Sequence, residues 1–133
     1  MSFDIFTAYA TDENLENNGT LFPLGKDSKV LVARAGNRKY SKALTKAVEQ
    51  RRVELDAGDD TADAVSDQIM VDVLAETILL GWENLSFKGV EMPYSQDNAK
   101  TLLRIKDFRK VIAGLSDQMD AYKMKLEADA GKP

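Results

Sequence analysis

The feature that most constrains the fold is a wide stripe of apolar residues between Asp60 and Leu80. Its members recur at intervals of three and four residues, which places them on one face of an α-helix. They are Val65, Ile69, Met70, Val73, Leu74, Ile78 and Leu79. Acidic residues at the start of this segment would complement the helix dipole. We therefore predict a helix from about Asp60 to Leu80 and expect it to be the central buried element.

Three further helices are predicted. The first runs from about Arg38 to Asp56, with Asn37 as its N-cap. The third begins at Ser95, whose hydroxyl can accept a hydrogen bond from the amide near Asn98. The last is expected to carry an apolar seam with a spacing of three and four residues. Its members are Ile105, Phe108, Ile112, Leu115, Met119, Tyr122 and Leu126. This seam fits the inner face of a helix in its own domain, which we favour over a partner-binding surface.

The remaining segments are expected to be extended or irregular. Residues 1–28 contain turn residues and show no helical period. The segment from Lys29 to Arg34 has the β-branched content of a short strand, and a hairpin is expected across Phe87 to Val90. The prediction is a mainly α (α+β) fold, a four-helix single domain over residues 1–133. Its parts are an extended or hairpin N-terminal part (1–36), a helical body (37–127) and a flexible tail (128–133).

The chain contains neither cysteine nor histidine. Disulfides, thiolate zinc sites and cysteine nucleophiles are therefore excluded. The lack of histidine removes the side chain that most often transfers protons near neutral pH and the commonest metal ligand. We expect no catalytic residue, no metal site and no cofactor, and hence a protein that is not an enzyme.

The acidic residues suggest two possible metal sites. The segment from Asp56 to Asp60 resembles a calcium loop, but its glycine is misplaced and no glutamate closes the loop. Carboxylates at helical spacing hold magnesium in all-helical pyrophosphatases, and Asp63 with Asp67, or Asp72 with Glu76, have that spacing. Without a matching pair on another helix, the solvated face of an amphipathic helix is the favoured interpretation.

Charge is segregated along the chain. Residues 26–52 contain nine basic and two acidic residues, a net charge of +7, whereas residues 53–87 contain nine acidic residues and no basic one. The candidate basic face comprises Arg38, Lys39, Lys42 and Lys46. The candidate acidic face comprises Asp59, Asp60, Asp63 and Asp67. Opposite faces permit end-to-end self-association of a homo-oligomer, although pairing within one subunit is an equal alternative. Nucleic-acid binding is disfavoured because the acidic block would repel a polyanion.

Short motifs in the second half of the chain resemble a known family. Residues 81–85 (Gly-Trp-Glu-Asn-Leu), 92–95 (Met-Pro-Tyr-Ser), 98–99 (Asn-Ala) and 102–103 (Leu-Leu) are similar to a signature of siphophage tail assembly chaperones. Upstream residues 30–37 and 39–42, with Leu24, are similar as well. Together these segments cover roughly residues 20 to 110. The chain thus resembles the short, pre-frameshift form of a tail assembly chaperone from a long-tailed bacteriophage.

The resemblance implies a helper in the host cytoplasm that binds the tape measure protein, keeps it soluble and helps to recruit tail tube subunits. It implies absence from the mature virion, and a longer frameshifted form through which the tail tube protein could be bound. Gly131-Lys132 is compatible with a frameshift site. Trp82, Asn84, Pro93 and Tyr94 carry the motif as candidate partner-binding residues, although pinning the loop to the core is the role that we favour. A structural tail or head-tail joining protein retained in the virion is the alternative.

Neither export nor membrane insertion is expected from the sequence. The first residues lack the basic flank and the long apolar run of a signal peptide. The longest apolar stretch, from Ile69 to Trp82, is interrupted by Asp72 and Glu76. No membrane partner is therefore expected.

Overall fold

The computed structural model of the chain describes residues 2–125. In chain order its elements are α1 (Ile5–Tyr9), α2 (Glu13–Asn18), β1 (Thr20–Pro23), β2 (Lys29–Val32), α3 (Arg38–Gln50), α4 (Arg52–Asp56), α5 (Asp60–Thr77), β3 (Leu79–Glu83), β4 (Ser86–Phe87), β5 (Val90–Glu91), α6 (Gln96–Leu103), α7 (Lys106–Leu115) and a 3₁₀ helix (Met119–Tyr122). The predicted mainly α (α+β) class is confirmed, with seven α-helices in the described residues where four were expected. The body predicted as helical over residues 37–127 also contains β3, β4 and β5.

Helix α5 is the central buried element, as predicted. Asp59 caps it, because its carboxylate accepts hydrogen bonds from the amides of Thr61 and Ala62. One side of α5 packs with α6 and the β1–β2–β3 sheet around the main core. The other side packs against α3 and α4, around Val65, Ile69 and Val73. Burial on two sides explains why the apolar stripe is wide.

The predicted extension of this helix to Leu80 is wrong. The helix ends at Thr77, and β3 follows, paired antiparallel with β2 in a three-stranded sheet of order β1–β2–β3. Gly81 lies opposite Leu31, where a Cβ atom would be 3.7 Å from the Cβ of Leu31. Pairing gives partners to the backbone of the buried strand β2 on both edges, and this tertiary requirement overrides the helical period.

The prediction that residues 1–28 lack helices is also wrong. Helices α1 and α2 begin after Asp4 and Asp12, whose carboxylates accept amide hydrogen bonds as N-caps. Each helix has only five or six residues, too few to display a helical period in the sequence. Gly19 ends α2 with a φ of 95°, a backbone conformation that residues with a Cβ atom rarely adopt. Strand β1 follows and buries Phe22.

The first predicted helix is divided in two. Asn37 caps α3 as predicted, since its side chain accepts from the amide of Tyr40 at 2.9 Å. The helical geometry breaks at Arg51, which has φ −116° and ψ 19°. The Arg51 side chain pairs with Glu54 at the start of α4. The break leaves Val53 on the surface, 88% exposed.

The last predicted helix is shorter than expected. Helix α7 ends at Leu115, and the chain then turns before a 3₁₀ helix that delivers Tyr122 into the core. The Tyr122 side chain is 0% exposed, and its hydroxyl donates a 2.8 Å hydrogen bond to the carbonyl of Val32. The apolar seam therefore continues past the end of the α-helix, through a turn and a 3₁₀ helix. Leu126, the predicted tail and Gly131-Lys132 lie outside the described residues.

Candidate functional site

The motif that carries the family resemblance forms one connected corner of the molecule. Trp82, on β3, donates its indole N–H to the carbonyl of Met92 at 2.7 Å. Its ring meets the ring of Tyr94 edge to face, with 5.0 Å between centroids. The Tyr94 hydroxyl donates to the carbonyl of Leu79 at 3.2 Å, and burial raises the pKa of this hydroxyl. Trp82 and Tyr94 thus hold residues 92–94, which follow the β4–β5 hairpin, against strand β3.

Asn84 links the end of β3 to the turn between β1 and β2. Its φ is 58°, a left-handed conformation that asparagine adopts more readily than most residues. Its side-chain amide donates to the carbonyl of Asp27 at 2.8 Å. Its own carbonyl accepts from the hydroxyl of Ser28 at 2.7 Å. Asn84 therefore holds two loops together at one end of the sheet.

Pro93 and Ser95 precede helix α6 and support its first turn. The carbonyl of Pro93 accepts from the side chain of Asn98 at 2.8 Å, while the Ser95 hydroxyl accepts from the amide of Asn98 at 3.0 Å, as predicted. The motif residues therefore act together as structural supports, which fits the loop-pinning role. Tyr94 is still 39% exposed and Pro93 is exposed, so the corner also presents a surface.

The candidate basic face lies on the outer side of α3. All four of its side chains are exposed: Arg38, Lys39, Lys42 and Lys46. Among the residues that the structure describes, none of them takes part in an ion pair. Two shallow, mainly apolar depressions flank Lys42 and Lys46, one towards Gln50 and one towards Thr77 of α5. The nearest acidic residues in these depressions are Glu49 and Glu76, so the face keeps a net positive charge that could attract an acidic partner.

The candidate acidic face lies on the first half of α5, and its four carboxylates are exposed. Asp59 serves as the N-cap, and Asp60 and Asp63 lie in the first turn, where negative charge complements the helix dipole. Asp67 differs, because Arg109 of α7 approaches it to 3.6 Å.

Ion pairing within the chain follows a pattern that the sequence did not reveal. Two carboxylates of the acidic block pair with α6 and α7. Asp67 pairs with Arg109 of α7, and Asp72 pairs with Lys100 of α6 at 3.7 Å. Among the described residues, the only ion pair within 4 Å between the basic and acidic blocks joins Arg51 and Glu54. The hydrogen bonds that the Arg51 side chain donates to Glu54 lower the pKa of the Glu54 carboxyl.

A cleft of mixed charge lies between α5 and the α6–α7 junction. Its lining consists of Asp67, Gln68, Val71, Asp72, Arg104, Lys106 and Arg109. Its three basic side chains outnumber its two carboxylates by one, and this mixture is typical of a solvated ionic surface. Within residues 2–125, no three aspartate, glutamate, histidine or cysteine side chains are grouped so that they could hold a metal ion.

Sequence reasoning missed an apolar surface at residues 3–9, which we call the arm. Four of its side chains are 54 to 70% exposed: Phe3, Ile5, Phe6 and Tyr9. The signal that could have revealed it is Asp4, an N-cap residue, followed by apolar residues at 5, 6 and 9 on one helical face.

Comparison with known proteins gives one finding. A family model described as YdaY prophage protein matches residues 35–132 of the chain. No curated protein and no solved structure is significantly similar to the chain. In the described residues, no helix combines the length and the apolar character needed to cross a bilayer.

Proposed function

The chain belongs to the YdaY prophage protein family, which indicates a phage origin. From the motif resemblance we propose that it is a tail assembly chaperone that binds the tape measure protein of its phage. It keeps that partner soluble and helps to recruit tail tube subunits, acting by binding and without catalysis. It works in the host cytoplasm and is absent from the mature virion.

The observation that carries this proposal is the connected corner formed by the motif residues. Trp82 and Tyr94 contact each other and join residues 92–94 to β3, and Asn84 is hydrogen-bonded to Asp27 and Ser28, more than fifty residues earlier in the sequence. These contacts give the motif residues a shared structural role, which supports the motif resemblance. Because the corner supports the fold, we assign partner binding to another surface.

The basic face on α3 is the surface that we assign to partner binding. Its four cations are exposed on an amphipathic helix and have no ion-pair partner in residues 2–125. A row of cations attracts an acidic surface and steers its approach. The opposite charge on α5 allows subunits to associate along an extended partner, because a heterologous contact can repeat.

Co-expression with the tape measure protein encoded by the same prophage tests the proposal. We expect the tape measure protein to remain soluble only with this chain, and to co-purify with it. A variant in which Lys39, Lys42 and Lys46 are changed to Glu should lose most of this effect. The matched control carries the same charge change at Lys26, Lys88 and Lys110, which are exposed outside the basic face, and should behave as wild type.

If the tape measure protein is equally soluble without this chain, the chaperone proposal is wrong. Mass spectrometry of purified virions tests the alternative, a tail or head-tail joining protein that stays in the particle. Stoichiometric amounts of this chain in virions would favour that alternative.

A further inference from the structure

The arm is an apolar surface that no other residue in the described range 2–125 covers. Asp4 caps its short helix by accepting from the amide of Phe6 and the hydroxyl of Thr7. The ring of Phe3 meets the ring of Tyr9 edge to face, at 6.1 Å between centroids. A helix of five residues is marginal in water unless packing supports it. A contiguous cluster of exposed large apolar side chains marks an interaction surface.

The base of the arm is held in place. The amide of Asp12 donates to the carbonyl of Tyr122 at 2.8 Å, and the amide of Met124 donates to the carbonyl of Ala10 at 3.1 Å. Since Tyr122 is itself buried against the sheet, the arm leaves a fixed point of the core. Its side chains are therefore presented in a defined direction.

A complementary surface lies on the same chain. The two depressions that flank Lys42 and Lys46 on α3, here called the lysine groove, expose mainly apolar atoms, and each is lined by lysines and one carboxylate, Glu49 or Glu76. Lysine stems provide apolar contact area while their ammonium groups remain in water. The residues around the arm have the opposite charge, because residues 2–25 contain Asp4, Asp12, Glu13 and Glu16 and no basic residue. Of these, Glu16 pairs with Arg34 of the same chain.

We propose that the arm of one copy of this chain binds the lysine groove of a second copy. The apolar side chains of the arm cover the floor of the groove, and the acidic residues beside the arm face Lys42 and Lys46. Arm and groove are different surfaces, so each added copy presents a new groove or a new arm, and the contact can repeat. This contact is a route to self-association other than the charge contact between α3 and α5. It uses the same basic face that we assign to the tape measure protein, and it forms without that protein.

Cross-linking can test the contact directly, since the chain has no cysteine. One variant carries Ser2→Cys beside the arm, and a second, with a larger tag, carries Thr45→Cys in the groove. Under oxidation the mixture should give the mixed disulfide dimer. Ser66→Cys, an exposed position on α5, replaces Thr45→Cys as the control and should give little mixed dimer.

Sedimentation velocity on the purified chain measures the strength of the contact. Changing Phe3 and Phe6 to Ser should weaken self-association by about tenfold or more, because two large side chains lose their burial. Val53→Ser is the matched control, since Val53 is also highly exposed but lies outside the arm. The wild-type assembly should largely persist at high salt, whereas a contact made by charges alone would dissociate.

Three results would overturn the inference. They are a monomer at every concentration, an equal yield of cross-links to Ser66→Cys, and a disulfide within one chain when Ser2→Cys and Thr45→Cys are combined. The co-expression experiment separates this inference from the proposed function. If the Phe3 and Phe6 variant is monomeric yet still keeps the tape measure protein soluble, chaperone binding stands without arm-mediated assembly.

Discussion

Removing only the hydroxyl of Tyr122 tests how the last segment of the described chain is held to the sheet. This hydroxyl is fully buried and donates to the carbonyl of Val32 at 2.8 Å. Tyr122→Phe keeps the ring beside Phe22 but leaves that carbonyl without this donor. The loss of one buried hydrogen bond should lower the free energy of unfolding by about 1–2 kcal/mol at pH 8.

The same hydroxyl makes stability depend on pH in a predictable direction. Burial raises the pKa of Tyr122 from 10.0 to about 12, although the nearby Arg34 guanidinium lowers it slightly. The folded-state pKa is raised, so the contribution is complete below pH 10 and is lost as the pH rises towards 12. At pH 11 the loss is on the order of 1 kcal/mol. The stability difference between wild type and Tyr122→Phe should therefore shrink by that amount between pH 8 and pH 11.

Urea unfolding, followed by the fluorescence of the single tryptophan, Trp82, measures this difference at each pH. All other ionisable groups are common to both proteins and cancel in the comparison. Tyr9→Phe is the control, because Tyr9 is exposed and should give the same pH dependence as wild type. A difference between wild type and Tyr122→Phe that stays constant from pH 8 to pH 11 would refute the reasoning.

Two further substitutions test the supports of the central helix and of the motif corner. Asp59→Ala removes the N-cap of α5 and should cost about 1 kcal/mol of stability, more than Asp63→Ala, as measured by thermal unfolding with circular dichroism. Trp82→Phe removes the hydrogen bond to Met92 and should speed hydrogen exchange in residues 85–94 far more than in α5; equal exchange in both segments would contradict the pinning role.

Local chemistry predicted the elements whose signals lie within a few residues. Asn37 and Ser95 cap their helices as expected, because capping depends on an oxygen placed two or three residues before the amide that it accepts from. The hairpin across Phe87 to Val90 forms around Lys88 and Gly89, both with positive φ. The position of α5 also followed, since its apolar stripe is long enough to establish a period.

Long-range contacts explain where the predictions were wrong. Leu79 and Leu80 continue the helical period of α5, and only pairing with β2 makes them a strand. Tyr122 keeps the spacing of the seam but enters the core from a 3₁₀ helix, because its hydroxyl bonds to Val32, 90 residues away in the sequence. Period and spacing carry no information about such partners.

For the candidate surfaces, too, local spacing predicted some features and long-range contacts determined others. Helical spacing was sufficient to place Lys39, Lys42 and Lys46 on one exposed face. It could not indicate that Arg109 and Lys100 pair with carboxylates of α5, because these cations come from other helices. The arm was missed for a related reason, since its exposure depends on which surfaces do not cover it.

Ion pairing also bears on whether the charge blocks act within one chain or between chains. Among the described residues, part of α5 forms ion pairs and the basic face on α3 does not. Asp67 and Asp72 have cations of α6 and α7 within 4 Å, so this part of α5 is partly neutralised within the chain. Exposed pairs of this kind contribute only about 0.2–1 kcal/mol each, so they tune the surface charge more than they hold the fold together. The basic face on α3 gains no such pairs in the described residues. A partner therefore meets an α3 with a net positive charge, since only the carboxylates of Glu49 and Glu76 line the depressions beside its lysines, and self-association through α3 does not require any ion pair among the described residues to break.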